Sequence, residues 1–320
     1  MNRTGGLDSQ LMQAAGGSEH AKVTRAGHVA LVGRPNVGKS TLLNALIGEK
    51  LSIVTPRAQT TRESVRGLLT TADTQILFVD TPGLVEASYL LHRSMLHAAY
   101  TALDGADVVL VVLDATRPGE APGGQVTEML RARKDRVIVA INKIDAGTSD
   151  AVRALTSWSV RELGEQPLLL SAARRDGLDV LLERLSTALP EGPFLYPEDE
   201  LAAQPVRFFV EELVRETIFE EYEQEIPYAT AVRIEEYREA SDPVYIRAVI
   251  YVERVSQKAI LIGHGGSRIK ELGTHAREKI EAFIGGHAYL DLWIKTLPGW
   301  RRKAGALKYL GYALPPESSR

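Results

Sequence analysis

Eight consecutive residues have the types and the spacing of a phosphate-binding loop of the form G-x-x-x-x-G-K-[ST]. They are Gly33, Arg34, Pro35, Asn36, Val37, Gly38, Lys39 and Ser40. A short apolar run precedes them and an amphipathic stretch follows, which is the strand-to-helix context that this pattern requires. Glycines let successive backbone N–H groups point at phosphate oxygens, at the positive end of the helix. We therefore predict a nucleotide site, with Lys39 on the β- and γ-phosphates and Ser40 as a Mg²⁺ ligand.

A second polar segment, Asn142-Lys143-Ile144-Asp145, follows an apolar run at the point where a parallel strand would end. Doubly wound folds bind ligands at that edge of the sheet. The Asp145 carboxylate can accept hydrogen bonds from N1–H and from the 2-amino group of guanine, a pair of donors that adenine lacks. We predict guanine specificity from this segment. Ser171 and Ala172 end the next strand, where the Ala172 backbone would contact the guanine carbonyl oxygen.

A third segment, Asp80-Thr81-Pro82-Gly83, follows another apolar run. We expect Asp80 to hold Mg²⁺ through a water molecule. The Gly83 N–H is expected to sense the γ-phosphate, so that the segment after it acts as a switch.

Upstream of that segment, Gln59-Thr60-Thr61-Arg62 lies in a polar stretch that suits a mobile loop. Thr61 is the candidate to close over Mg²⁺ and the γ-phosphate, and Thr60 is the alternative. The predicted catalytic and switch residues are Lys39, Thr61 and Gly83.

A glycine-rich joint between two predicted helices is the fourth candidate site, and it has the form I-G-x-x-G-x-x-I. At such a joint a nucleic-acid backbone can approach closely, as in the KH clamp that holds about four nucleotides. Arg268 and Lys270 would contact phosphates, and Ile260 and Leu272 would help to line the groove. A joint with no ligand remains the alternative. The residues predicted to contact RNA are Ile262, Gly263, His264, Gly265, Gly266, Ser267, Arg268, Ile269 and Lys270.

Short apolar runs and amphipathic stretches alternate through the first part of the chain. The runs, read as buried parallel strands, are His28–Val32, Gln75–Val79, Asp107–Leu113, Arg136–Ile141 and Pro167–Leu170. The predicted helices between them are Lys39–Leu46, Leu90–Leu103, Gly124–Ala132, Asp150–Leu163 and Asp176–Leu189. This alternation predicts a doubly wound α/β domain over residues 28–190, after a flexible N-terminal extension at residues 1–27.

A proline-rich acidic segment, residues 191–205, is the predicted linker to a smaller α+β domain at residues 206–320. Helices are predicted there at Val206–Glu221, Ser256–Ile262 and Ser267–Phe283, and a basic helix after Pro298. Strands are predicted at Tyr228–Tyr237, Val244–Arg254 and His287–Lys295.

Composition excludes several classes of site. The 320 residues contain no cysteine, which rules out disulfides, thiolate metal sites and a cysteine nucleophile and fits a reducing compartment. No apolar run is long enough to span a membrane, and the first 27 residues lack the apolar core of an export signal, so we expect a cytoplasmic protein.

The net charge of −3 conceals a segregation of charge along the chain. Residues 191–244 contain 15 acidic and 4 basic residues, whereas residues 245–309 contain 12 basic and 5 acidic residues. The basic block favours a face that binds a polyanion, and charge complementarity between adjoining elements is the alternative.

The phosphate-binding loop and the segments at residues 59–62, 80–83 and 142–145 resemble, in order and spacing, the motifs of the translation-factor-related GTPases. The helix–strand–strand–helix–helix–strand order after the linker is similar to a type II KH domain. Together they resemble the Era family of bacterial ribosome-assembly GTPases over about His28 to Leu314. Supporting runs are Tyr289–Lys295 and Gly299–Arg301.

The resemblance implies a P-loop GTPase domain followed by a smaller KH domain, and hydrolysis of GTP to GDP and phosphate. It also implies binding to the single-stranded 3′ end of 16S ribosomal RNA during 30S subunit maturation, favoured in the GTP state. Peripheral association with the cell membrane is a further property of the family.

Two residues depart from related patterns. Leu84 stands where many signalling GTPases have a glutamine that positions the attacking water. In GTPases with a similar loop, the residue at the position of Asn36 helps to hold K⁺, and we hypothesise that K⁺ does so here. His264 stands where similar G-x-x-G joints usually have lysine, so we expect RNA affinity to rise as the pH falls.

Two rival functions remain at this point. One is a P-loop ATPase or small-molecule kinase, against which the Asn142–Asp145 segment argues. The other is an RNA-binding or membrane-associated scaffold whose nucleotide site is only structural. We expect a monomer by default.

Overall fold

The computed structural model describes residues 23–55, 57, 60–84 and 87–316. Its first sheet has six strands in the order β2-β3-β1-β4-β5-β6, all parallel except β2, which is antiparallel to β3. These strands are β1 Arg25–Val32, β2 Val65–Thr70, β3 Thr74–Asp80, β4 Val108–Asp114, β5 Val137–Asn142 and β6 Leu168–Leu169. The carboxyl ends of the parallel strands therefore meet at one edge, where the predicted nucleotide residues follow them.

Five helices cover the two faces of this sheet. They are α1 Lys39–Ile47, α2 Leu90–Asp104, α3 Gly124–Arg131, α4 Ser149–Leu163 and α5 Leu178–Ala188. In β1 the side chains alternate between faces: Leu31 packs in the cluster that contains α1 and α5, whereas Val32 packs in the one that contains α2, α3 and α4. Both faces are buried, which explains why the strands read as continuous apolar runs.

The second part of the chain forms a three-stranded sheet with helices packed on both faces. Its elements are α6 Val206–Glu221, α7 Ile226–Ala229, β7 Ala231–Arg238, β8 Val244–Val252, α8 Val255–Ile262, α9 Ser267–Ile284, β9 Ala288–Thr296 and α10 Ala304–Tyr309. The strand order is β7-β8-β9, with β7 and β8 antiparallel and β8 and β9 parallel. Leu272, which we expected in the RNA groove, is fully buried in this core, because the inner face of α9 packs on the sheet.

Several element boundaries differ from the sequence-based expectation, two of them for clear physical reasons, and one strand was not expected. Strand β1 begins at Arg25 rather than His28, because Arg25 pairs with Thr74 and its N–H donates to Asp73. Strand β7 begins three residues after Tyr228, because Ile226–Ala229 forms a helical turn with proline in its first turn. Strand β2 was not predicted at all.

The two sheets are joined by an apolar cluster and by the segment between them. Met95 of α2 packs in one cluster with Tyr251 of β8 and with Trp300. The segment predicted as a linker lies along the edge of the first sheet, where Leu201 accepts a hydrogen bond from Leu68 of β2 at 2.9 Å. The division into domains at residues 190 and 206 stays a prediction. Residues 1–22 of the predicted extension lie outside the described residues. No helix in the described ranges is long and apolar enough to cross a membrane.

Candidate nucleotide site and nucleic-acid interface

The phosphate-binding loop connects β1 to α1 and requires glycine at two places. Gly38 has a φ of +98°, and a Cβ there would lie 2.4 Å from the side-chain nitrogen of Asn142. A Cβ on Gly33 would lie 2.5 Å from the backbone oxygen of Val112 in β4. The loop therefore lies directly on the strand ends, and its residues Pro35, Asn36, Gly38, Lys39 and Ser40 help to line a cavity of about 470 Å³.

Lys39 begins α1 and is buried at the base of this cavity. Its ammonium group donates to the carbonyl oxygens of Gly33 at 3.3 Å and Arg34 at 3.2 Å. Burial lowers the pKa of Lys39, and the nearby carboxylate of Asp80 opposes that shift. A buried cation next to a loop of backbone N–H groups is the arrangement that stabilises a polyphosphate.

Three side-chain oxygens from separate segments meet beside Lys39. The Ser40 hydroxyl donates to Asp80 Oδ2 at 2.6 Å and lies 3.1 Å from the Thr61 hydroxyl oxygen. Burial raises the pKa of Asp80, while Lys39 and the hydroxyl donors, which include Ser52, lower it. Asp80 Oδ1 is buried and has no hydrogen-bond partner within the described residues.

These oxygens suit a small, hard cation, because carboxylate and hydroxyl oxygens are the ligands that Mg²⁺ prefers. The unpartnered Oδ1 of Asp80 supplies an acceptor for a metal-bound water. Of the two candidate threonines, Thr61 brings its hydroxyl to this cluster. The carbonyl of Thr60 instead accepts a hydrogen bond from the Arg215 guanidinium. Gln59 lies outside the described residues.

Asn142 joins the phosphate loop to the segment after β6. Its side-chain nitrogen donates to the Val37 carbonyl at 2.9 Å, and its Oδ1 accepts from the Ala172 N–H at 2.9 Å. The Ala172 N–H that we expected to contact guanine is thus engaged with Asn142 in this structure. Lys143 pairs with Asp114 at 2.6 Å and also donates to the carbonyl of Asn36.

Asp145 is exposed at the rim of the site. A hydrogen bond from the Ser171 side chain is the largest cause that lowers the pKa of Asp145, and the positive charge of Arg174 adds to it. The carboxylate is therefore ionised at neutral pH and held toward the strand ends. The guanine hypothesis requires an ionised carboxylate at this position, and the contact with guanine stays a prediction.

The segment after β3 packs against the phosphate loop. A Cβ on Gly83 would lie 2.8 Å from Pro35, and the Leu84 N–H donates to the Gly33 carbonyl at 3.2 Å. The buried Thr81 hydroxyl donates to the Leu31 carbonyl at 2.7 Å. The Leu84 side chain packs on the apolar cluster around α2 to α4, so it is directed into the protein rather than into the cavity.

The glycine joint lies between α8 and α9 as predicted. Gly263, Gly265 and Gly266 all have positive φ, and a Cβ on Gly263 would lie 2.6 Å from the Arg268 side chain. His264, Ser267, Arg268 and Lys270 are exposed, whereas Ile262 and Ile269 are partly buried against the core. The Arg268 guanidinium carbon lies 4.8 Å from the centre of the Tyr222 ring.

Sequence reasoning missed the residues through which the second half of the chain contacts the nucleotide segments. Arg215 and Glu216 of α6 are among the most buried charged residues, although their helix is otherwise amphipathic. No local sequence signal marks this pair as buried, because Glu216 lies on the opposite side of the helix from the buried Val214 and Ile218. Their partners lie about 155 to 166 residues earlier, which no local pattern reveals.

Two family models match separate parts of the chain. One, described as a 50S ribosome-binding GTPase, matches residues 28–143, and the other, described as a KH domain, matches residues 225–301. The GTPase Era of Halothermothrix orenii is 44% identical over 289 residues, which is 90% of this chain and 98% of that relative. The GTPase Era of Thermotoga maritima is 43% identical over 282 residues, which is 87% of this chain and 94% of that relative.

Two solved structures are similar over most of their length. A variant of Aquifex aeolicus Era bound to GDP·AlF4⁻ has a TM-score of 0.84 and 38% identity, covering 91% of this chain and 100% of that one. Era in complex with MgGDPNP and nucleotides 1506–1542 of 16S ribosomal RNA has a TM-score of 0.85 and 39% identity, with the same coverage. The predicted fold, a P-loop GTPase domain followed by a KH domain, is confirmed.

Proposed function

The chain belongs to the Era family of GTPases, and from that premise we propose how its residues bind GTP, hydrolyse it and bind ribosomal RNA. It is an enzyme that converts GTP and water to GDP and phosphate. It binds 16S ribosomal RNA and assists maturation of the 30S subunit. One observation carries the enzymatic part: Ser40, Thr61 and Asp80 bring their oxygens together beside the buried ammonium of Lys39.

Guanine binds at the rim formed by Asn142, Lys143, Asp145 and the segment of Ser171 and Ala172. The ionised Asp145 carboxylate accepts from N1–H and from the 2-amino group. Lys143, which pairs with Asp114, lies beside the base. Asn142 connects the phosphate loop to the segment after β6 through its two hydrogen bonds. The Ala172 N–H, which donates to Asn142 Oδ1, also donates to the guanine carbonyl oxygen.

The phosphates bind in the loop from Gly33 to Ser40. The backbone N–H groups and Lys39 stabilise the charge that develops as the bond to the γ-phosphate breaks. Ser40 and Thr61 hold Mg²⁺ directly and Asp80 holds it through water; when bound, the ion offsets negative charge on the phosphate oxygens. The Gly83 N–H reports the γ-phosphate to the segment that follows it.

The attacking water is positioned without the side chain at position 84, because Leu84 packs into the protein. Asn36 supplies an alternative device, since its side chain can help to hold K⁺ beside the phosphates. A monovalent cation there would offset the same developing charge that an arginine finger offsets in other GTPases.

The RNA part of the proposal concerns the joint from Gly263 to Gly266. The positive φ angles and the absence of side chains at three of these positions allow a nucleic-acid backbone to approach closely. Arg268 and Lys270 contact phosphates of the single-stranded 3′ end of 16S ribosomal RNA, and Ile262 and Ile269 contact bases. A similar structure was solved with nucleotides 1506–1542 of that RNA.

The protein acts as a monomer in the cytoplasm under this proposal. The proposal also includes peripheral contact with the cell membrane, through the basic residues at positions 301–303 and 308. Such residues attract anionic lipid only near the membrane surface.

The test of the guanine site is a change of base specificity. Asp145→Asn exchanges an acceptor for a donor, so it should lose GTP hydrolysis and gain hydrolysis of XTP, which has a carbonyl in place of the 2-amino group. Initial rates with GTP, XTP and ATP are compared for both proteins. If the wild-type chain hydrolyses ATP as well as GTP, the proposed function is wrong.

A further inference from the structure

We propose that the KH domain positions the magnesium-binding hydroxyl of Thr61, with Arg215 of α6 as the principal positioning residue and Arg62 as the second anchor. The proposal rests on the GTPase function given above and extends it. Under it, the hydrolysis site is completed by side chains and carbonyl groups from the second half of the chain. Neither Arg215 nor Arg62 is among the residues that line the nucleotide cavity.

Arg215 is fixed in a buried position before it reaches the switch segment. Arg215 is 3% exposed, and its guanidinium donates to both carboxylate oxygens of Glu212, at 2.6 and 2.7 Å. The guanidinium carbon lies 5.6 Å from the centre of the Phe219 ring. These contacts, all on one helix, set the direction of the guanidinium without any help from the first domain.

From that position Arg215 donates a hydrogen bond to the carbonyl of Thr60. The group it holds is the peptide unit that joins Thr60 to Thr61, so it limits how far the Thr61 side chain can move. Charged hydrogen bonds in buried surroundings are stronger than neutral ones and are costly to break without a replacement. The Thr61 hydroxyl lies 3.1 Å from the Ser40 hydroxyl under this restraint.

Arg62 anchors the other side of Thr61. It is 5% exposed and donates to the carbonyls of Thr230 at 2.6 Å and Pro227 at 3.0 Å, close to the end of α7. Its guanidinium carbon lies 5.7 Å from the centre of the Trp300 ring. Both Thr230 and Trp300 belong to the second half of the chain, so Thr61 is held between two buried arginines that both contact that half.

Earlier parts of the same segment also contact α6. Lys50 donates to the buried Glu216 at 2.7 Å, and the Val54 N–H donates to the other oxygen of Glu216 at 3.5 Å. Arg57 donates to the carbonyl of Tyr222, directly after the helix. Lys50 and Val54 thus bond to one residue of α6 and Arg57 to the residue that follows the helix, so this segment is held against α6 at several points.

The proposal predicts a selective effect on the triphosphate state. Thr61 closes over Mg²⁺ and the γ-phosphate only when GTP is bound, whereas the phosphate loop and the guanine residues bind both nucleotides. Loss of the Arg215 contact should therefore weaken Mg²⁺-dependent binding of a GTP analogue and slow hydrolysis while GDP affinity remains unchanged. A general loss of structure would weaken both nucleotides together.

The experiment uses full-length Arg215→Met, which keeps a long side chain but removes the donors. Hydrolysis is measured against Mg²⁺ concentration, together with the Kd values of GDP and of a non-hydrolysable GTP analogue. We expect kcat to fall about tenfold and the half-saturating Mg²⁺ concentration to rise about tenfold, the effect of one lost charged hydrogen bond, with the Kd of GDP within about twofold. Arg207→Met on the same helix, where Arg207 bonds the Ile234 carbonyl rather than the switch segment, is the matched control and should resemble wild type.

Arg62→Met tests the second anchor and should show the same selectivity, so the proposal stays testable if one variant folds poorly. Unchanged Mg²⁺ dependence in both variants would overturn the positioning role while the GTPase function stands. An equal loss of GDP and analogue binding would also overturn it, because a purely structural role predicts that pattern. Failure of the wild-type chain to bind either nucleotide would instead contradict the proposed function.

Discussion

At the scale of single residues, we propose that Asn36 assists hydrolysis in place of the residue at position 84, because the Leu84 side chain packs into the protein. We expect GTP hydrolysis to be at least several-fold faster in K⁺ than in Na⁺ at equal ionic strength, because K⁺ held by Asn36 offsets developing charge. Asn36→Ala should lose most of that difference while binding GDP normally. The measurement is the initial rate in KCl and in NaCl. Equal rates of the wild-type protein in both salts would remove the potassium hypothesis.

Several residues of the candidate nucleotide site could be predicted from the sequence because their chemistry is local. Lys39, Ser40 and Asp145 follow strand ends in short segments whose spacing is characteristic, so their grouping needs only the order of the strands. Arg215 could not be identified in this way. Its role depends on a buried contact with Thr60, which is distant in the chain and bonds through its backbone carbonyl.

Acidic side chains at the contact between the two halves predict a pH dependence of stability. Burial raises the pKa of Glu63 to about 7 and that of Glu211 to about 8. Glu212 adds to both shifts, whereas Arg215 opposes both and Arg62 also opposes that of Glu63. Tyr312 also interacts with Glu63.

A carboxyl group whose pKa is higher in the folded protein than in the unfolded chain makes the folded state less stable as the pH rises and the proton is lost. The free energy of unfolding should therefore fall as the pH rises from the ordinary pKa of 4.5 to about 8. Urea unfolding at pH 6 and pH 8.5 measures the drop. Glu63→Gln should make it smaller, whereas Glu198→Gln on the exposed linker should not; an equal drop in wild type and Glu63→Gln would contradict this assignment.

At the scale of elements, we expect the residue at position 264, in the joint between α8 and α9, to affect RNA affinity. His264 is exposed there, and protonation of its imidazole adds positive charge near a bound phosphate. We expect RNA affinity to rise a few-fold from pH 8 to pH 6. His264→Lys should remove that pH dependence and steepen the salt dependence by about one counterion.

Fluorescence anisotropy with a labelled RNA measures both quantities. His287→Lys is the matched control, because His287 is exposed and lies beyond the other end of α9. It should leave the pH dependence as it is in wild type. If His264→Lys keeps the wild-type pH dependence, another group is responsible for it.

Element boundaries show where sequence patterns stop being informative. The buried parallel strands and α6 were predicted within a few residues, because long apolar periodicity reflects burial directly. Strand β2 was missed because VRGLLT mixes polar and apolar residues at the sheet edge. Its Gly67 is needed for close packing, since a Cβ there would lie 3.1 Å from Leu43, Ile47 and Leu51.

At the scale of the whole molecule, we propose that this chain couples a GTP site to an RNA site. The switch segment lies along α6, and the ring of Tyr222, just beyond that helix, contacts Arg268 beside the glycine joint. The Tyr222 hydroxyl also donates to the Leu261 carbonyl at 3.1 Å, in the last turn of α8. Any coupling through these contacts has to be reciprocal, so GTP should favour RNA binding as much as RNA favours GTP.

The most direct test is binding of a labelled oligonucleotide from the 3′ end of 16S ribosomal RNA to the full chain, in GDP and in a non-hydrolysable GTP analogue, over a series of salt concentrations. We predict about tenfold tighter binding with the analogue, the size of a typical coupling free energy, and a log–log salt slope that reflects several phosphate contacts. Equal affinity in the two nucleotide states at every salt concentration would contradict the coupling of the two sites.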